Sequence, residues 1–222
     1  MQSFCFTAIA MTNFIPIFPL NIVVYPGEIV PLHIFEDRYI QLINDCFQPE
    51  KLFGIPSVID EHINELGTAV RIKEIVKKYD NGRMDIRVEG LHIFRILEVI
   101  KTIPEKLYHG AIVTYPENDR THIQHTMDHV MKMMAHLHAS LHLTKTYDKT
   151  LSQLCSYDIA HYVAFSLKEE YELLTLLHES QRLEYLKRHL RKITPAIKRV
   201  EELKEKIRQN GHFRELKGFD FY

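Results

Sequence analysis

His33, Glu36, Asp37 and Arg38 fall within six residues of one another. An imidazole beside two carboxylates could pass protons, and a guanidinium could hold an anionic substrate. The same residues also suit a helix that starts after a strand. Carboxylates there meet the positive end of the helix dipole, and Arg38 can pair locally. The following run, "DRYIQLINDCF", favours the helix: Tyr39, Leu42, Ile43, Cys46 and Phe47 share one face. No catalytic residue is assigned.

A second cluster is made of histidines. His122, His125, His129 and His136 step along one stripe of a predicted helix. His125 and His129 stand one turn apart, a spacing at which two imidazoles can share a transition metal. No Glu follows His125 as in H-E-x-x-H, and no further ligand can be named, so no metal is assigned. The stripe lies well away from Ile123, Met127, Val130, Met134, Leu137 and Leu141, whose steps of three and four mark a packed face. Cys5, Cys46 and Cys155 are far apart and form no C-x-x-C pair, which suits free thiols in a reducing cytoplasm. None of the eight glycines precedes a lysine, so no phosphate loop exists, and no G-x-S-x-G occurs. No cofactor is expected.

Two kinds of element must position whatever this chain binds. From Asn13 to about Tyr115 the sequence reads mostly as strand. "FIPIF", "NIVVY" and "EIVPLHI" are short β-rich runs punctuated by proline, which suits edge strands and barrel corners. After the short helix, which should end near Pro49, "LFGIPSVI" is a strand and "DEHINELG" a polar loop. Two alternating runs then flank Asn81-Gly82, a strong hairpin signal. "YHGAIVTY" closes this section, and "PENDR" links it to a helical one.

The helical section begins near Thr121. A helix is expected from about Leu151 to Leu167, then one capped by Ser166 with Glu169. Thr194-Pro195 reads as the start of a new helix and Asn210-Gly211 as its end. The expected divisions are residues 1–12, a loose tail; 13–116, a β-barrel; and 117–222, a helical bundle. The tail has no Lys or Arg and is too short for a signal peptide.

The formal net charge is −1, so no global field draws the chain to nucleic acid or anionic membrane. The charge is uneven, however. Gln181 to Lys217 holds 12 Lys and Arg against 5 Asp and Glu. Lys187, Arg188, Arg191, Lys192, Lys198 and Arg199 are candidate contacts for an acidic partner or RNA.

Three stretches resemble the N-terminal, substrate-recognising domain of Lon ATP-dependent proteases. They are "IPIFPLNIVVYPGEIVPLHIFEDRY", "ELGTAVRIKEIVKKYDNGRMDIRVEGLHIFRI" and "DIAHYVAFSLKEEYELLTLLHESQRLEYLKRHL". The second carries Gly67-Thr68, Gly90 and Phe94-Arg95; the third carries an Arg-Leu-Glu-centred helix. The resemblance covers about Phe14 to Ile193. It implies an α+β fold, with a PUA-like barrel followed by a helical bundle. It also implies a non-enzymatic module that binds unfolded or damaged polypeptide or docks a partner protein. Pro26, Ile34, Phe35, Tyr39, Phe53 and Ile55 are the candidate contacts. The alternative is an RNA-binding module using the basic C-terminal helix. A stand-alone peptidase is least favoured, because the phosphate loop and Ser-Lys setting of a complete Lon enzyme have no counterpart here.

Overall fold

A computed structural model describes residues 13–47, 51–121, 123–141, 143–147 and 149–213. Contacts divide the chain into two compact units: residues 1–120 with 160–178, and 121–159 with 179–222. The expected single division near residue 116 differs from this, because 160–178 return to the first unit. Side chains far apart in sequence hold them there. The Tyr25 hydroxyl donates to the Glu170 carbonyl at 2.9 Å, and the Leu66 N–H donates to the Tyr171 hydroxyl at 3.2 Å.

The first unit is built on six antiparallel strands: β1 (Asn13–Pro16), β2 (Ile29–Ile34), β3 (Phe53–Ile59), β4 (His62–Lys78), β5 (Met84–Ile100) and β6 (Gly110–Thr114). Their order is β1-β6-β5-β4-β3, and β2 pairs with β5. Just past β1, Ile17 and Leu20 bridge in parallel to Gly54 and Ser57 of β3. These bridges join the two ends of the sheet and close it into a barrel.

At the β4–β5 hairpin the Tyr79 N–H donates to the Arg83 carbonyl, and the Gly82 N–H to the Tyr79 carbonyl, both at 2.9 Å. Gly82 takes φ 82°, so the turn is a three-residue loop with glycine in the left-handed region. "DEHINELG" is not a loop. Only Asp60 and Glu61 turn, with φ 50° and 64°, and β4 starts at His62. Pairing of Ile59 with His62 and of Leu66 with Arg95 extends the strands through polar residues.

Helix α1 (Asp37–Phe47) buries Tyr39, Leu42, Ile43 and Cys46. They join a core with Ile34, Phe53, Ile55, Val70, Met84, Ile86 and Val88. A second cluster holds Ile15, Ile17, Ala69, Phe94, Ala111 and Val113. The glycines of the resemblance have physical reasons in this packing. A Cβ on Gly67 would lie 2.6 Å from the Phe94 ring and from the Ile55 carbonyl. One on Gly90 would lie 2.3 Å from the Tyr25 carbonyl, where the loop after residue 24 crosses β5. Thr68 donates its hydroxyl to the Val24 carbonyl and ties the same loop down.

The unit's later helix is α4 (Leu167–Thr175), preceded by a 3₁₀ turn at Ala160–Tyr162. Its expected capping box is present: Ser166 and Glu169 each bond the other's backbone N–H.

The second unit contains α2 (Gln124–Ser140), a 3₁₀ turn at Leu151–Gln153, α3 (Ser156–Ile159) and α5 (Glu179–Phe213). Met127, Val130, Met134 and Leu137 are buried as their spacing predicted, and α2 packs on α5. The helix expected over 151–167 is broken into short turns. Asp158 caps the Cys155 N–H at 2.8 Å, and Glu179 takes the Ser156 N–H at 2.7 Å, so side chains replace helical bonds.

The new helix expected at Pro195 is absent as well. Instead α5 runs through Pro195 and past Asn210-Gly211 to Phe213. Pro195 is exposed, and the Thr194 hydroxyl donates to the Leu190 carbonyl at 2.7 Å. The carbonyl that proline leaves without an N–H belongs to exposed Arg191, where water can serve it. Among the described residues no strand occurs after Thr121, and no helix is long and apolar enough to cross a membrane.

Candidate functional site

The closing seam of the barrel borders a groove. Ile17 and Leu20 bridge to β3, whereas the ladder of β1 is formed with β6. Pairing carries the backbone of Ile17 toward β6, where its N–H donates to the His109 carbonyl at 2.9 Å. Alternation along the strand then turns Phe14 and Pro16 toward the open side. Proline suits such a position because it has no N–H to leave unpaired there.

A groove of about 800 Å³ lies along this edge. Asn13, Phe14, Ile15 and Pro16 line it from β1; Asp45 and Cys46 from the end of α1; Lys51 and Leu52 from the approach to β3; and His92, Lys106, Tyr108 and Tyr115 complete it. Phe14 is 51% exposed although its ring covers Gly110, where a Cβ would meet it at 2.4 Å. Tyr115 meets the His92 ring edge-on at 6.2 Å.

The polar wall is fixed by pairing. Asp45 Oδ2 accepts from Lys106 Nζ and from the Tyr108 hydroxyl, both at 2.8 Å. Burial pulls the Asp45 carboxyl up, but these two hydrogen bonds outweigh it and hold the group below the usual carboxylate range. Gln41 Oε1 accepts from the Leu107 N–H at 2.7 Å and clamps the same loop onto α1. Burial, helped by the Asp45 charge, pushes the Cys46 thiol up to about 11, so it is no thiolate nucleophile. The groove thus offers apolar and aromatic surface, the backbone of β1 along Phe14–Pro16 and a neutralised ion pair. It can hold an extended chain; it has no activated nucleophile.

The residues singled out in the sequence lie elsewhere. Ile34, Tyr39, Phe53 and Ile55 are core residues, at most 7% exposed, and Pro26 is buried. They fill the barrel, so none can meet a ligand at the surface. Phe35 is 56% exposed and stacks on His33 at 6.0 Å. His33 turns to Asp85, with Nδ1 2.6 Å from Oδ1, while Arg38 pairs with Glu36 at 2.7 Å. Of the four residues His33, Glu36, Asp37 and Arg38, only Glu36 and Arg38 pair with each other; His33 pairs with Asp85, and Asp37 opens α1. His125, His129 and His136 are exposed; His122 lies outside the described residues. No group of three or more metal-ligating side chains occurs among the described residues. Of the basic set, Arg188, Arg191, Lys192, Lys198 and Arg199 are exposed on α5, and Lys187 pairs with Glu184 at 2.7 Å.

Two further clusters could be mistaken for chemistry. His161 lies between Glu170 Oε1 at 2.7 Å and Glu28 Oε2 at 3.2 Å. Burial lowers its basicity, but the two carboxylates outweigh that and raise its pKa to about 10. A histidine held as a cation is a poor base; this one ties the 3₁₀ turn to the loop before β2. In the second unit Ser156, Glu179 and Arg182 are fully buried. The Ser156 hydroxyl donates to Glu179 at 2.7 Å and accepts from Arg182 Nε at 2.8 Å. Arg182 also lies over the Tyr157 ring at 4.3 Å. Such a closed network orders a core; no substrate can reach its serine.

Sequence reasoning missed the groove residues Phe14, Leu52, Tyr108 and Tyr115. Its one usable signal was Pro16, which marks a strand edge.

Comparison with known proteins fits this geometry. Residues 15–192 match the model of the ATP-dependent protease La (LON) substrate-binding domain. Lon protease of Flavobacterium johnsoniae is 34% identical over 99 residues, covering 40% of this chain and 12% of that protein. Lon protease of Dictyoglomus thermophilum is 24% identical over 216 residues, covering 88% of this chain and 27% of that protein. The chain therefore spans a minor part of the curated relatives it matches.

The crystal structure of a Lon N-terminal domain protein from Xanthomonas campestris aligns with a TM-score of 0.59 at 24% identity, over 78% of this chain and 96% of that one. The N-terminal domain of Mycobacterium avium complex Lon protease gives 0.59 at 18% identity, over 80% and 98%. These two likenesses establish the fold, and the match across residues 15–192 establishes more: this chain belongs to the ATP-dependent protease La (LON) substrate-binding domain family.

Proposed function

We propose that the chain is a non-enzymatic recognition module that binds extended, apolar-rich segments of unfolded polypeptide in the groove beside β1. The observation that carries this reading is an apolar, aromatic groove, large enough for several side chains, that runs along the strand β1 at Phe14–Pro16. An extended segment can pair its backbone with the edge at Phe14 and place alternate side chains against Phe14, Leu52 and Tyr115. Family membership supports the same class of ligand. The phosphate loop and serine motifs missing from the sequence support a module without chemistry of its own. An RNA-binding role gains nothing from these relatives, and the groove's cations are one exposed lysine, Lys51, and the Lys106 already bound to Asp45.

The test is a titration of the full chain with a reduced, unfolded client and with a short RNA, at about 50 and 200 mM salt. Micromolar client binding should survive the higher salt, whereas contact with six or more phosphates would lose roughly 10³-fold. Phe14→Ser, at a half-exposed position, should weaken client binding at least fivefold without altering the circular dichroism. Unchanged client affinity in Phe14→Ser, or tight and salt-sensitive RNA binding without client binding, refutes the reading.

A further inference from the structure

The C-terminal half of α5 carries a surface that the groove does not explain. Its buried leucines, Leu183, Leu186 and Leu190, lie in the first half of the helix. An apolar row continues beyond them through Ile193, Ile197, Val200, Leu203 and Ile207. Val200, Leu203 and Ile207 are 51%, 58% and 62% exposed. At 100° per residue these five side chains cover a stripe about 120° wide, the width of a helix face that packs against another element.

The borders of the stripe are charged, and unequally satisfied. Lys192, Arg199 and Lys206 recur at heptad spacing along one border, in step with Ile193, Val200 and Ile207. None of the three forms an ion pair with another described residue. On the other border Arg208 is held by Glu205 at 3.0 Å, and Lys204, which at this spacing falls inside the stripe, is held by Glu201 at 2.7 Å. The helix thus presents an aliphatic seam beside a straight row of three unneutralised cations.

We propose that this stripe docks an amphipathic helix of a partner protein, one whose apolar seam is bordered by glutamate or aspartate. Charge decides among the occupants. Two copies of this chain set antiparallel would bring the cationic row against itself; set parallel and in register, they would bring Lys204, inside the stripe, against its own copy. Like charges facing each other at such borders disfavour pairing. Single-stranded nucleic acid would meet the cations but leave the seam uncovered, and the seam offers no aromatic ring for a base to stack on. A membrane surface would cover the seam, yet Glu201, Glu202 and Glu205 stand in the same turns and oppose an anionic bilayer. An acid-bordered helix satisfies both the seam and the row.

The experiment uses the full chain and two labelled synthetic helices of three heptads with the same Ile/Leu seam, one bordered by glutamate and one by lysine. Fluorescence anisotropy should show the glutamate helix binding at least tenfold tighter. Val200→Glu with Leu203→Glu should abolish that binding. The triple reversal Lys192→Glu, Arg199→Glu, Lys206→Glu should invert the preference toward the lysine helix. All five positions are exposed or at the border, and circular dichroism verifies that the fold is kept. Equal affinity for both helices, or binding to neither, overturns the proposal. So does self-association of the chain that Val200→Glu removes, or tighter capture by single-stranded RNA or by anionic phosphatidylserine vesicles.

Discussion

Replacing His161 with glutamine should flatten the alkaline stability profile of the first unit. The imidazole bridges Glu28 and Glu170, and its pKa rises from 6.5 to about 10. A folded-state pKa above the unfolded one means that the stabilisation is fully present below about pH 6.5. It is lost progressively as pH climbs toward 10. The full shift sets a ceiling of roughly 5 kcal/mol, at about 1.4 kcal/mol per unit. The imidazole and Glu28 are each 29% exposed, so solvent screening reduces this to about 1–3 kcal/mol.

Urea unfolding of wild type and His161→Gln, at pH 6, 7.5, 9 and 10, isolates the effect, because other titrating groups cancel in the difference. The gap should be about 1–3 kcal/mol at pH 6 and under about 0.5 kcal/mol at pH 10. NMR of the imidazole supplies an independent check: the ring should remain a cation at pH 8. A stability gap that is constant with pH, or an imidazole that titrates near 6.5, refutes the argument.

The glycine at the loop crossing should be intolerant. Gly90→Ala places a Cβ 2.3 Å from the Tyr25 carbonyl and should cost about 3 kcal/mol or abolish soluble expression, whereas Gly82→Ala, with no atom within 4 Å, should cost only about 1–2 kcal/mol for its left-handed φ. Arg182→Met leaves the Glu179 carboxylate buried without its cation and should cost about 3–5 kcal/mol in thermal unfolding; adding Glu179→Gln should recover part of that loss. Phe53→Ser should cost about 3–5 kcal/mol, and Phe35→Ser, at an exposed ring, under about 0.5 kcal/mol.

What the sequence made legible was local. Alternation at Met84, Ile86 and Val88, the turn at Asn81-Gly82, the face of α1 and the cap at Ser166 each depend on neighbours a few residues away. Each appears where its pattern put it, except that Phe47, at the end of the expected α1 face, is exposed. The errors are all places where a distant partner decides. "DEHINELG" reads as loop by composition, but pairing with β3 and β5 makes it strand. Residues 151–167 have helical spacing, but Glu179 takes the Ser156 N–H and so removes one helical bond. Pro195 looks like a boundary until packing holds the helix on one side of it and exposed carbonyls meet water on the other.

The candidate contacts read from the sequence fall largely in the core for the same reason, in a sharper form. Apolar residues that follow prolines, such as Phe53 and Ile55, are chosen by a core and by a ligand groove alike, and composition cannot separate the two uses. Phe14 and Leu52 line one groove because Ile17 bridges to Gly54 while β1 ladders with β6. That seam is a property of register between segments far apart in the chain, which no single-sequence pattern encodes. The residues of the family resemblance belong to the opposite case. Gly67, Thr68, Gly90 and Phe94 do not touch the groove; they seat the residue 24–28 loop and the Phe94 ring so that the barrel can close at all. Sequence likeness here reports the scaffold's closure.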